Sequence, residues 1–461
     1  MLVPLEVVAL RRPVALVALG AVVVTTTFTG APPPVASYPT PHPAPFAAAV
    51  AELTPDTGRG VLTVQLSTES GLRLRAAFDL TRRRCWLEVA DPSGAVTRHR
   101  SRRFGRTPEL PQAAAVTLTG SQLTAWTARD GEWTARARVS LRGRVDVHDP
   151  ALTAALQSGY RWSGDADCPV ARLTAGGFGQ LGLRDLRFVT GADGTPLVEG
   201  GNLLLTASSS GPGFFDTGHT SVWTLTPDSL DLAHTADIFV RRSGGAGVYG
   251  DHGSHLLRDG DRWLFATSTW GDVDRVRPDT RVTTVLAETT ADLTRGRHVV
   301  EAGPLVLPTE GLASVGTWDP HLVRRDGEWH VGYVSARKYF SFHPALAQGR
   351  TLDQLALVGA DRSRTATEGP TLVDVDGQLV LLASDGRDGP RGRRARYPVF
   401  DLTMTERGEL TAPYPTNIPW PTLAHTPEGW LMVTFDGTAY GGDLVGYGTH
   451  GNVVLMRESR A

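Results

Sequence analysis

Three carboxylates stand at the head of similar stretches of sequence. They are Asp251 in YGDHGSHLLRDGDRWLFATST, Asp319 in WDPHLVRRDGEWHVGYVSA and Glu368 in TEGPTLVDVDGQLVLLASD. Each precedes a short apolar segment, a hairpin glycine (Gly260, Gly327, Gly377) eight or nine residues on, and a second alternating segment. Asp185, in RDLRFVTGADGTPLVEGGNLLLTASS, holds the corresponding place in a looser copy. Carboxylates gathered at one point cannot all stay ionised, so at least one pKa should rise. A raised acid beside an ionised carboxylate is the equipment for glycosidic bond cleavage, one group protonating the leaving oxygen while the other activates water or attacks. Turn chemistry offers the plainer explanation, because an Asp opening a turn caps its own backbone. A further copy, IPWPTLAHTPEGWLMVTFDG, places Trp420-Pro421 there, so the turn itself does not demand an acid.

Elements that could bring such distant residues together follow from the repeat. The opening positions recur at intervals of roughly fifty to seventy residues, room for one four-stranded antiparallel unit. Five such units over residues 175–461 predict a five-bladed β-propeller, whose innermost strands all start at the central channel. Residues 60–150 read as short period-2 strands between turn signals, which predicts a lectin-like β-sandwich. Residues 151–174 look like a connector. At the start, Arg11-Arg12 precede the uncharged run PVALVALGAVVV, so residues 1–30 read as a signal peptide or signal anchor and 31–59, with APPPVASYPTPHPAP, as a proline-rich linker. The expectation is an all-β, exported, monomeric protein, secreted or tethered at the cell surface by an uncleaved anchor.

The strings WDPHLVRRDGEWHVGYVSA and TEGPTLVDVDGQLVLLASD resemble the blade-opening motifs of glycoside hydrolase family 43 and its fructan-cleaving relatives, families 32 and 68. The resemblance implies a five-bladed propeller carrying an Asp base, an Asp that orients the acid, and a Glu acid. Carried over, Asp251 is the base, Asp319 the modulator and Glu368 the acid. Asp251 lacks the proline usual after that base, and Asp185 is its rival. The N-terminal sandwich is also out of place for the fructan enzymes, which points to a divergent family of the same structural group. Sugar-binding candidates are His255 and His321, which follow the acids, Trp270 and Trp318 as stacking surfaces, and Arg337 with Lys338, the sole lysine in the chain. Family resemblance further implies a structural Ca2+ in the channel, with His450 or His219 as ligand; no other cofactor is expected. The substrate it implies is a furanose polysaccharide, most directly arabinan. Arginine in place of lysine, with abundant Ala and Gly, suggests a GC-rich actinobacterial genome and brings in cell-wall D-arabinan.

A net charge of −2 gives no field for nucleic acid. The basic stretches RHRSRRFGR and GRDGPRGRRARYP read as solvated loops, the second at the rim of the channel. No glycine-rich phosphate loop, Gly-x-Ser-x-Gly elbow or zinc spacing is present. Cys85 and Cys168 are compatible with one disulfide or with two buried thiols. The competing function is a non-catalytic carbohydrate-binding or cell-wall interaction protein on the same scaffold.

Overall fold

The computed structural model describes residues 3–55, 59–274, 281–339, 341–386, 395–446 and 451–459. Beyond residue 183 the strands form antiparallel meanders of four. The first runs Leu183–Phe188, Asn202–Ser209, His219–Thr226 and Asp231–Arg242. The second runs His252–Asp259, Arg262–Ser268, Thr284–Thr289 and Gly296–Pro304, and its last strand pairs in parallel with the last strand of the first. The third comprises Gly316–Arg325, Glu328–Lys338, Ser341–Gly349 and Ala356–Ala360, and the fourth Thr367–Val375, Gln378–Asp385, Pro398–Phe400 and Glu406–Glu409. Thr422–Thr426, Gly429–Phe435 and Val453–Glu458 make three strands of the last sheet, and Leu5–Arg11 supplies its fourth.

The leading strands of the meanders meet one another through buried polar contacts. Leu322 N donates to His255 Nδ1 at 3.1 Å, and Leu372 N to His321 Nδ1 at 3.3 Å, so one device is used at two successive junctions. The two imidazoles also stack, with centroids 4.0 Å apart. Phe188 N donates to Thr422 Oγ1 at 3.2 Å, linking the first meander to the last. Fully buried Arg187 reaches across the middle, donating to Pro370 O at 2.6 Å and Asp319 O at 3.1 Å while lying over the Trp420 ring.

Ahead of the meanders, two six-stranded sheets enclose one core. One is ordered Glu132–Ser140, Gln122–Arg129, Ala113–Thr119, Phe46–Leu53, Val170–Gln180, Ala15–Thr27. The other is ordered Val35–Pro39, Gln157–Gly164, Gly60–Ser67, Arg73–Asp79, Arg84–Ala90, Val96–His99. Leu62, Leu74, Val116, Leu123 and Tyr160 are fully buried between them, and the free thiols Cys85 and Cys168 are buried in the same core.

The N-terminal boundaries drawn from sequence need correction. Leu5–Arg11 and Ala15–Thr27, within the stretch expected to be an export signal, are strands of two different sheets. Valine-rich alternation suits a half-buried strand as well as it suits a signal core. Phe46–Leu53 of the expected linker is an inner strand, and the expected connector contributes Gln157–Gly164 and Val170–Gln180. Alanine-rich FAAAVAEL shows no period-2 pattern because it is buried on both faces over Phe46–Ala51. Among the described residues no helix is long and apolar enough to cross a membrane.

Candidate active site

Four leading strands carry the same irregularity. The pairing register slips between Arg184 and Arg187, His252 and His255, Trp318 and His321, and Glu368 and Thr371. Aligned on this bulge, Asp185, Gly253, Asp319 and Gly369 are equivalent, and all four adopt a left-handed backbone, with φ of 54°, 71°, 55° and 65°. Asp tolerates that region better than most side chains, and strain of this kind collects at functional sites. The alternation of Asp with Gly has a steric cause. A Cβ on Gly253 would come within 2.8 Å of Asp319 Oδ1, and one on Gly369 within 2.3 Å of the Trp420 ring.

The bulges turn Asp185, Asp319 and Glu368 into one cavity of about 290 Å3, together with Arg184 and His252. Phe214, Phe215, Trp270, Trp318, Tyr339, Phe342 and Trp420 give it aromatic walls. Phe215 lies 4.3 Å from Trp270, and Trp270 5.4 Å from Trp318, between centroids. Arg184 bridges two of the acids, with Nε 2.9 Å from Asp185 Oδ1 and Nη2 3.9 Å from Glu368 Oε1. Ser208 Oγ donates to Asp185 Oδ2 at 2.8 Å. Asp319 N is fixed on Ser268 Oγ at 2.9 Å, whereas its buried Oδ2 makes no hydrogen bond within the protein. His252 Nε2 donates to Phe215 O at 2.9 Å, leaving Nδ1 4.0 Å from Asp185 Oδ2.

This environment raises two of the acids. Burial, offset in part by Arg184 and reinforced by the charge of Asp185, pushes the Glu368 carboxyl up to about 7. Burial, then the charges of Glu368 and Asp185, raise Asp319 well above the usual carboxylate range. Burial lowers His252, which is neutral in the site. Glu368 thus faces, through the Arg184 guanidinium, the Asp185 side chain, which accepts from Arg184 and Ser208.

No family model matches the sequence, and no curated protein does. Solved structures are similar over part of the chain. Sucrose-6-phosphate hydrolase from Lactobacillus gasseri is 18% identical with a TM-score of 0.42, covering 61% of this chain and 60% of that enzyme. Zg3597, a family 117 glycoside hydrolase from Zobellia galactanivorans, is 11% identical with a TM-score of 0.45 over 60% of this chain and 84% of that one. The GH43_1 enzyme from Xanthomonas citri, complexed with xylotriose, is 14% identical with a TM-score of 0.41 over 61% and 88%. These neighbours belong to the propeller group of glycoside hydrolases.

The candidates read from sequence divide clearly. Asp185, Asp319, Glu368, Trp270 and Trp318 line the cavity. Asp251 does not. It lies two residues ahead of Gly253, the true counterpart of Asp319, and its fully buried carboxylate is clamped by Arg242 at 2.8 and 2.5 Å and by Gly271 N at 3.0 Å. His255 and His321 pin one leading strand to the next, and burial holds both well below the usual imidazole range. Arg337 and Lys338 are exposed at the end of their strand, with Arg337 donating to Arg364 O at 2.9 Å. His219 is buried against Asp237 at 3.1 Å. His450 and most of the basic rim loop, residues 387–394, lie outside the described residues. Among the described residues no cluster of three or more His, Cys, Asp and Glu is placed to hold a metal ion. The sequence reading missed Arg184, Phe214, Phe215, His252 and Phe342. Arg184 and His252 were within reach, since they immediately precede the bulge residues Asp185 and Gly253.

Proposed function

We propose that the chain is a glycoside hydrolase, its meanders the five blades of a β-propeller and its two-sheet unit an N-terminal β-sandwich. The observation that carries this reading is the meeting of Asp185, Asp319 and Glu368, from three separate leading strands, in one aromatic-walled cavity with Glu368 held at about 7. Glu368 protonates the departing glycosidic oxygen. Asp185 is the carboxylate that activates water or attacks the anomeric carbon, taking the role first given to Asp251. Asp319, raised by burial and by its two acidic neighbours, orients Glu368. The aromatic walls cover the C–H faces of a sugar ring, for which a cavity of about 290 Å3 has room.

An arabinofuranose-containing polymer, arabinan or cell-wall D-arabinan, is the substrate we assign, on the resemblance of the Asp319 and Glu368 motifs to family 43. The test incubates the protein and its Glu368→Gln variant with arabinan, D-arabinan, xylan and levan, and measures reducing ends. Release from arabinan or D-arabinan should fall about 10²–10⁴-fold in the variant. Equal release by both proteins would remove Glu368 from its role. Binding without release from any polymer would favour a non-catalytic carbohydrate-binding module.

A further inference from the structure

We infer that the two-sheet unit is part of the active-site structure, with Arg142 as the positioning residue through which it holds the aromatic wall and His252; the catalytic consequence rests on the reading above. Arg142 leaves the end of Glu132–Ser140, in the N-terminal unit, and crosses to two loops of the meanders. Its Nη1 donates to Asp272 O at 3.0 Å and its Nη2 to Val273 O at 2.8 Å, in the loop just after Trp270. The same Nη2 lies 2.9 Å from Asp216 Oδ2, and Nε donates to Ser121 Oγ at 3.1 Å. Ser121 in turn donates to Asp216 Oδ2 at 2.5 Å. Asp216, buried, sits in the short 3-10 turn Phe215–Thr217, whose Phe215 faces the cavity. The seating is close. Gly120 has φ 52°, and a Cβ there would come within 1.8 Å of Asp216 O, so the Gly120-Ser121 turn lies directly on that turn.

A continuous path follows. Arg142 and Ser121 fix Asp216; the adjoining Phe215 presents its ring to Trp270 and its carbonyl to His252 Nε2; His252 Nδ1 then faces Asp185. One guanidinium therefore ties together the two loops that carry Phe215 and Trp270. With Phe215 O as its acceptor, the His252 ring is held with an unprotonated Nδ1 turned toward Asp185 in the wall of the cavity.

The experiment compares the full chain with Arg142→Ala, Arg142→Lys and, as a control at the same interface, Tyr440→Phe, whose parent hydroxyl accepts from Trp133 N. Hydrogen–deuterium exchange should quicken in peptides covering residues 211–219 and 269–274 in Arg142→Ala, with the leading strands unchanged. It should be partly restored in Arg142→Lys and unaffected in Tyr440→Phe. On a polymer that the parent cleaves, kcat/KM should fall about 10–100-fold, mainly through KM, with the pH profile retained. Unchanged exchange in both peptides would overturn the inference, as would exchange that quickens everywhere alike, or altered exchange with KM and kcat at parental values. A parent chain that cleaves no glycan defeats the proposed reaction, and the exchange comparison then decides the structural inference alone.

Discussion

Glu368 and Asp251 show how differently two acids behave that looked alike in the sequence. The fold favours the protonated form of Glu368, so two pH effects follow with definite sign. In the proposed reaction Glu368 donates that proton, so kcat/KM should decline as pH rises through about 7, a limb that a pH-rate profile would reveal. The unfolded chain releases the same proton near 4.3, so the fold loses stability between that pH and about 7. Glu368→Gln removes this penalty and should gain on the order of 3–4 kcal/mol over the parent at pH 8 but little at pH 4, as read by denaturant titration. Asp251 serves the fold through its ion pair with Arg242. Asp251→Asn leaves Arg242 half-partnered in a buried setting and should cost about 3–5 kcal/mol, with the pH profile intact. Asp185→Asn, at a left-handed position that Asn accepts, should retain a near-parental Tm and lose catalysis. A Tm that drops for Asp185→Asn and holds for Asp251→Asn would reverse the two assignments.

Within the leading strands, the bulge is the feature that makes a site. Regular pairing would send residues 184 and 185, or 318 and 319, to opposite faces; the left-handed residue lets Arg184 with Asp185, and Trp318 with Asp319, share one cavity. Three residues on, the equivalent places are Arg187, His255, His321 and Thr371, which serve the junctions between strands. His321→Ala removes the acceptor of Leu372 N and the stacking partner of His255, and should destabilise by about 1–3 kcal/mol in thermal unfolding while KM stays unchanged. A raised KM at parental stability would return His321 to the substrate-binding role expected from sequence. The hairpin glycines were legible as a repeat. Their phase was not, because counting back from Gly260 lands on Asp251, whereas the bulge that sets the phase lies at Gly253.

On the scale of the whole molecule, the chain ends close on each other in one sheet. Leu5–Arg11 pairs with Val453–Glu458, completing the last meander with the first of the described strands. Deleting residues 1–11 should therefore lower the Tm by roughly 5 °C or more, or leave the protein insoluble, through the lost pairing and the exposed edge. An unchanged Tm would mean that this strand adds nothing to the fold. The same interlocking explains why domain boundaries misled. Alanine-rich and proline-rich text resembles a tether when read alone, yet Phe46 packs on His219 and Phe239 of the first meander, at 4.8 and 5.5 Å between centroids. Small side chains there reflect close approach between sheets, not a lack of structure.

By itself the sequence determined the all-β class, the repeat of alternating hairpins, and the acids Asp185, Asp319 and Glu368, because period-2 patterning and turn glycines are local properties. Tertiary structure decided which of Asp185 and Asp251 reaches the cavity, that His255 and His321 bind neighbouring strands, and that the first 27 residues supply strands to two sheets. Those outcomes depend on a single left-handed residue per strand and on partners up to some 450 positions away, which no local pattern encodes.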